Sequence, residues 1–186
     1  MHKLKKPKFS TNIIFSTKKF KKILKSRDGK YIEQKDLVKI SVEMNEIKHR
    51  IKFILALLND FSTEVSIRFC DSEEMLSINS QFRGKLYPTD VLSFPALDSD
   101  PVSGFVYLGD ILICLPVCFN QAKRARMTLS EELERMIIHG IIHLKGFDHE
   151  RNEHAWNVMS HLEKIIKKEV ILAMGKANWC HTDLIK

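Results

Sequence analysis

The sequence has only four cysteines, Cys70, Cys114, Cys118 and Cys180, and no two of them form a CxxC pair. With no secretory signal ahead of them, they are expected to stay reduced in a cytosolic protein, as small buried residues rather than metal ligands or disulfide partners. Long apolar runs are also missing. No segment approaches a membrane span, and Ile13-Ile14-Phe15 is too short for a signal-peptide core, so a soluble protein is expected. There is no internal repeat and no low-complexity domain. Acidic residues are nearly absent from the first thirty positions, where ten lysines and Arg27 face Asp28 alone. That stretch carries +10, and the rest of the chain sums to −3 within the net +7. The basic character belongs to the first segment and not to the body.

The 186 residues, 44% of them hydrophobic, suffice for one domain with a full core plus an appendage. Residues 1–36 read as a basic extension, with Lys18-Lys19-Phe20-Lys21-Lys22 and an Asp28-Gly29 turn signal. Such an arm can neutralise RNA phosphates, and it has equally the composition of a solvated, partly disordered tail; an organellar transit peptide is a weaker third reading. Residues 37–175 read as the domain and 176–186 as a tail.

Within the domain, Ile47, Ile51, Ile54, Leu55 and Leu58 recur at helical spacing between Ser41 and Asn59. Val65, Ile67 and Phe69 alternate as in a strand, and Asp71-Ser72 can cap a short helix over 73–81. The first strand falls either near residues 13–16 or within 37–42. A further strand over Val91–Phe94 is expected to end at Pro95, and Phe105–Cys114 reads as a strand with Gly109-Asp110 marking a bulge or a close backbone approach. Pro116 suits the first turn of a helix reaching about Arg126, and Thr128 with Glu131 forms a capping box for the next. The last helix runs from about Asn152 to Met174, with Met159, Leu162, Ile166, Val170 and Ala173 on its apolar face and Gly175 as its stop.

The stretch Met136–Glu150 carries the chemistry. His139 and His143, four positions apart, share one face of a helix whose buried face is Leu133, Ile137, Ile141 and Leu144. Gly146 can end that helix in a left-handed conformation, so that Asp148 and His149 return toward it and offer a third imidazole. His-x3-His-x5-His is the skeleton of the metzincin zinc motif, but Gly140 stands where those proteases place their glutamate base. Three neutral imidazoles leave the fourth tetrahedral position of a zinc ion to water, whose pKa then falls to about 7. Metal-assisted hydrolysis without the protease's base follows. The competing readings are hydrogen-bonded core histidines, or a closed structural zinc with a fourth ligand such as His154. Upstream, Arg83-Gly84-Lys85 lies on a loop; a guanidinium beside a metal is a natural partner for a phosphodiester, although such a tripeptide alone is more often plain surface.

With these residues in view, the chain resembles the YbeY family of bacterial single-strand-specific endoribonucleases. The resemblance covers roughly residues 64–174. It rests on His139-Gly140-x-x-His143-Leu144-x-Gly146-Phe147-Asp148-His149, Arg83-Gly84-Lys85, Pro88-Thr89-Asp90-Val91-Leu92-Ser93-Phe94-Pro95 and Leu108-Gly109-Asp110-Ile111. It implies an α+β fold with a small mixed sheet packed with helices, and a three-histidine site on a central helix and the following turn. It further implies zinc bound by His139, His143 and His149 and an essential arginine at Arg83; one ion per chain, a catalytic role for His139 beside Arg83, and a substrate contact from Lys85 as well as Arg83 are expected with it. Maturation of the 16S ribosomal RNA 3′ end, ribosome quality control, the small ribosomal subunit as partner and a cytoplasmic location belong to the same expectation. Phe147 stands where the family usually has tyrosine, Ile142 where leucine is frequent, and the basic extension lies outside the pattern. Two other classes share parts of this frame: a zinc peptidase, which Gly140 deprives of its base, and a ribosome-associated RNA-binding protein with a structural metal, which would need neither Arg83 nor an open coordination position.

Overall fold

The computed structural model describes residues 10–15, 30–33, 38–58, 63–99, 106–147 and 152–184. The lysine run at 18–22, the Asp28-Gly29 turn and the Asp148-His149 pair lie outside the described residues. In chain order the elements are β1 (Ser10–Phe15), β2 (Lys30–Glu33), β3 (Val38–Val42), α1 (Met44–Leu57), β4 (Thr63–Cys70) and α2 (Ser72–Arg83). They continue with β5 (Val91–Ser99), β6 (Val106–Cys114), α3 (Leu115–Ala125), α4 (Leu129–Leu144), α5 (Glu153–Met174) and β7 (Cys180–Leu184).

The fold is α+β, built on a four-stranded sheet of order β1-β4-β6-β5. This sheet is mixed: β1, β4 and β6 run parallel and β5 returns antiparallel to β6. The alternation expected for Val65, Ile67 and Phe69 is present, and it sends those three to the main core with Ile111 and Ile113 of β6. Intervening Cys70, Leu112 and Cys114 point to the other face, where Met75 of α2 covers them. Because both faces of the central strands are covered, nearly all of β4 is buried. The main core is closed by Ile47, Ile51, Ile54 and Leu55 of α1 and by Leu133, Ile137, Ile141 and Leu144 of α4, the helix faces read from their periodicity. All four cysteines are buried and none is in a disulfide.

Four sequence expectations need correction. The first strand is not one of two alternatives, since both exist: β1 joins the four-stranded sheet, while β3 belongs to a second, antiparallel sheet of order β2-β3-β7. Pro95 does not end β5, which continues to Ser99. It is tolerated because β5 is an edge strand and the ladder is irregular between Pro95 and Asp98. Residues 176–186 are not simply a tail, because β7 pairs with β3 and Trp179 is fully buried. Ser130 Oγ clamps the start of β7, accepting from Cys180 N at 2.8 Å and donating to Cys180 O at 2.9 Å. Ala173 is exposed, whereas Met159, Ile166 and Val170 are buried as expected.

One buried ion pair ties three helices together. Arg50 of α1 donates to Glu134 of α4 at 2.7 Å and to Glu46 at 2.9 Å. Its guanidinium also reaches the carbonyls of Met174, Gly175 and Lys176 at the end of α5. A cation there satisfies the acceptors that a helix C-terminus leaves unpaired.

Candidate active site

The helix that carries the histidines is fixed at both ends. At its start Thr128 Oγ1 accepts from Glu131 N at 3.1 Å while Glu131 Oε2 accepts from Thr128 N at 2.9 Å, which is the expected capping box. At its end Gly146 N donates to His143 O at 2.9 Å and Phe147 N to Ile142 O at 3.3 Å, with Gly146 at φ +88. These two bonds form a Schellman motif, and the left-handed residue they require is the glycine read from the sequence. Between the ends, His139 and His143 stand with ring centroids 4.6 Å apart and planes at 76°.

Gly140 explains why no general base follows the first histidine. A Cβ at position 140 would lie 2.8 Å from Ile111 Cγ2 and 2.9 Å from its Cδ1, so this position faces the sheet across a closely packed interface. A glutamate there would be driven into the core instead of toward the histidines. Behind His139 stands a carboxylate from another helix: Glu163 Oε1 of α5 lies 2.6 Å from His139 Nδ1. With the ring proton on Nδ1, the carboxylate accepts it and leaves the Nε2 lone pair to act as a ligand.

Both histidines open into a cleft of about 480 Å³, which Arg83, Lys85, Tyr87, Asp90 and Arg135 also line. Arg83 ends α2, and Gly84 in the left-handed conformation turns the chain so that Lys85 follows into the same cleft. Arg135, one helical turn before His139, donates to both carboxylate oxygens of Glu132 at 2.9 and 2.6 Å. That hydrogen-bonded carboxylate, working against partial burial, pushes the Arg135 guanidinium pKa further up, and the cation is permanent. Burial would raise the Asp90 carboxyl, but hydrogen bonds from Gln121, Thr89 and Val91 N outweigh it and hold it below the ordinary aspartate value.

The structure thus brings together four of the five residues singled out from the sequence: Arg83, Lys85, His139 and His143. The fifth, His149, lies outside the described residues. Among the described residues no group of three or more metal-binding side chains is gathered. His154, considered as a fourth ligand, lines a separate apolar hollow with Trp156 and Ile165. Two adjacent imidazoles, one of them backed by a carboxylate on its far nitrogen, have the donor chemistry of a transition-metal site, so the residues present fit a zinc ion.

The model of the family described as Endoribonuclease YbeY matches residues 30–170. The Endoribonuclease YbeY of Persephonella marina is 40% identical over 136 residues, spanning 73% of this chain and 89% of the relative. That of Sulfurihydrogenibium sp. is 39% identical over 147 residues, 77% of this chain and 95% of the relative. The chain belongs to the YbeY endoribonuclease family. The solution structure of TM1509 from Thermotoga maritima has a similar fold, with a TM-score of 0.52 at 25% identity over 88% of this chain and 90% of that one. As a YbeY endoribonuclease the chain is a nuclease, a hydrolase whose substrates are RNA.

Two residues that line this YbeY cleft, Arg135 and Tyr87, and Glu163 behind it escaped the reading of the sequence. Glu163 sits on a helix whose exposed positions are rich in charge, and nothing in its spacing says that it meets His139 across the helix packing. Arg135 shares a face with His139 at i and i+4, a signal that could have been used. Tyr87 lies beside Lys85 on the loop and carried no periodic signal at all. No helix among the described residues is long and apolar enough to cross a membrane.

Proposed function

We propose that the chain is a single-strand-specific, zinc-dependent endoribonuclease of 16S ribosomal RNA 3′-end maturation. In this reading it acts in the cytoplasm with the small ribosomal subunit and serves ribosome quality control. His139, His143 and His149 hold one ion per chain. The observation that carries the reading is the cleft that joins paired imidazoles to three cationic side chains, Arg83, Lys85 and Arg135. That combination suits a phosphodiester, which is anionic already and gains further negative charge on its phosphoryl oxygens during reaction.

When bound, the ion supplies positive charge that polarises the phosphodiester and eases deprotonation of the attacking oxygen. The protein's own groups do the rest. Arg83 pairs with the phosphoryl oxygens and stabilises the charge that develops on them, and Lys85 adds a second, less directional cation. Glu163 fixes the ring of His139 so that its Nε2 stays turned into the cleft. The flexible backbone of a single strand can bring its phosphate in line with this arrangement, whereas a stacked duplex resists. The closely packed Gly140 argues against the peptidase alternative, since its position cannot present a base.

The test compares cleavage of single-stranded RNA, duplex RNA and casein by the wild type, His143→Ala and Arg83→Ala. The expected result is metal-dependent cleavage of single-stranded RNA alone, lost in both variants. Casein cleavage without RNA cleavage would establish the peptidase, and RNA binding without cleavage, indifferent to chelator, would establish a binding module. Product ends identify the nucleophile: a 5′-phosphate points to water, and a cyclic phosphate to the ribose 2′-hydroxyl.

A further inference from the structure

The loop that follows Arg83 exposes two large apolar side chains, Leu86 at 80% and Tyr87 at 54%, and Tyr87 lines the cleft with Arg83, Lys85 and the histidines. An aromatic residue left in water beside a catalytic cleft is not explained by packing. It is also held firmly. Asn79, itself only 1% exposed, donates its side-chain N–H to Tyr87 O at 2.7 Å and accepts at its own backbone oxygen from Lys85 N at 3.4 Å. Pro88 restricts the backbone of Tyr87 to extended conformations. A buried side chain spent on fixing an exposed loop residue means that the backbone carrying the ring is held in one place, so binding there requires less ordering of the loop.

We infer that Tyr87 is a base-stacking platform: it receives the unpaired base next to the phosphate gripped by Arg83 and Lys85. This inference rests on the nuclease reading above. Charge complementarity selects the occupant, because Tyr87 lines the same cleft as Arg83, Lys85 and Arg135, and single-stranded nucleic acid combines a phosphate with an adjoining exposed π-face. Stacking accepts any base, so the residue contributes to preference for single strands without reading sequence. A base paired in a duplex already has both faces covered.

The experiment measures binding and cleavage of fluorescent single-stranded RNA oligonucleotides, including a series with one abasic nucleotide moved along the chain. Tyr87→Ala is expected to weaken binding by about 5- to 150-fold, the range of one base–aromatic stack, with the loss falling on KM far more than on kcat. Tyr87→Phe retains affinity. One abasic position should weaken the wild type by a similar factor while leaving Tyr87→Ala unaffected by that removal. Tyr87→Trp should show tryptophan quenching on RNA binding beyond that of the wild type, which reports contact even if affinity changes little. A Tyr87→Ala protein that binds every oligonucleotide as the wild type does, in a wild type that cleaves them, overturns the stacking role and leaves the nuclease reading intact. A wild type that neither binds nor cleaves single-stranded RNA overturns both.

Discussion

Gly140→Ala is the sharpest probe of how the histidine helix is seated. In an open helix the change stabilises by about 1 kcal/mol, since alanine has the better helix propensity. Here the new methyl would sit 2.8 and 2.9 Å from two carbons of Ile111, both closer than ordinary contact. Ile111 is fully buried between register neighbours Ile67 on β4 and Ser93 on β5. Its branched side chain cannot swing one carbon away without driving the other into the core. Overpacking of this kind costs about 1–3 kcal/mol, so after the helix-propensity gain the net expectation is a loss of up to about 2 kcal/mol. At this chain length that lowers Tm by up to roughly 8 °C. Denaturant melts of the wild type, Gly140→Ala, Ile111→Val and the double variant give the coupling. Ile111→Val removes one of the two offending carbons, so the double variant should be more stable than the sum of the singles by at least about 0.5 kcal/mol. A Gly140→Ala protein as stable as the wild type, with no coupling to Ile111, would refute the reasoning and reopen position 140 as a place for a general base.

Three further outcomes are expected. Glu163→Ala should weaken zinc affinity about 10- to 100-fold in a chelator competition, with Glu163→Gln closer to the wild type, because the amide oxygen still accepts from His139 Nδ1. Arg50→Ala strands the buried Glu134 carboxylate and the end of α5, and should cost about 3–5 kcal/mol in urea denaturation; Arg50→Met with Glu134→Leu should cost clearly less. Asp90→Asn loses a carboxylate whose folded pKa is depressed. Its penalty, about 1–2 kcal/mol at neutral pH, is therefore present above pH 3.8, the ordinary value, and fades as pH falls through the lower folded value. A penalty that persists unchanged at pH 2 would contradict it.

Much of this arrangement was legible in the residues. The face of α4, the capping box, the left-handed Gly146 and the adjacency of His139 and His143 all follow from 3.6-residue periodicity and end chemistry, which act within one element. Lys85 was correctly placed on a loop, whereas Arg83 was expected there and instead ends α2; the meeting of both with the histidines depends on how α2 and α4 each sit on the sheet. Glu163 shows the limit clearly: its partner is 24 positions away on another helix. The strands β2 and β7 escaped, and β1 was read only as an alternative to β3, for a related reason. They are short and lie in stretches dominated by lysine or by polar residues, so pairing partners rather than local pattern decide them. Pro95 misled because a proline stop assumes a central strand, and β5 is an edge.

X-ray absorption of the zinc-loaded protein tests the central claim most directly, since it counts the ligands themselves. The account requires three imidazole nitrogens, from His139, His143 and His149, with the remaining position filled by an exchangeable oxygen, and a drop to two imidazoles in His149→Ala. A sulfur ligand, a fourth imidazole closing the site, or a His149→Ala spectrum identical to the wild type would contradict it.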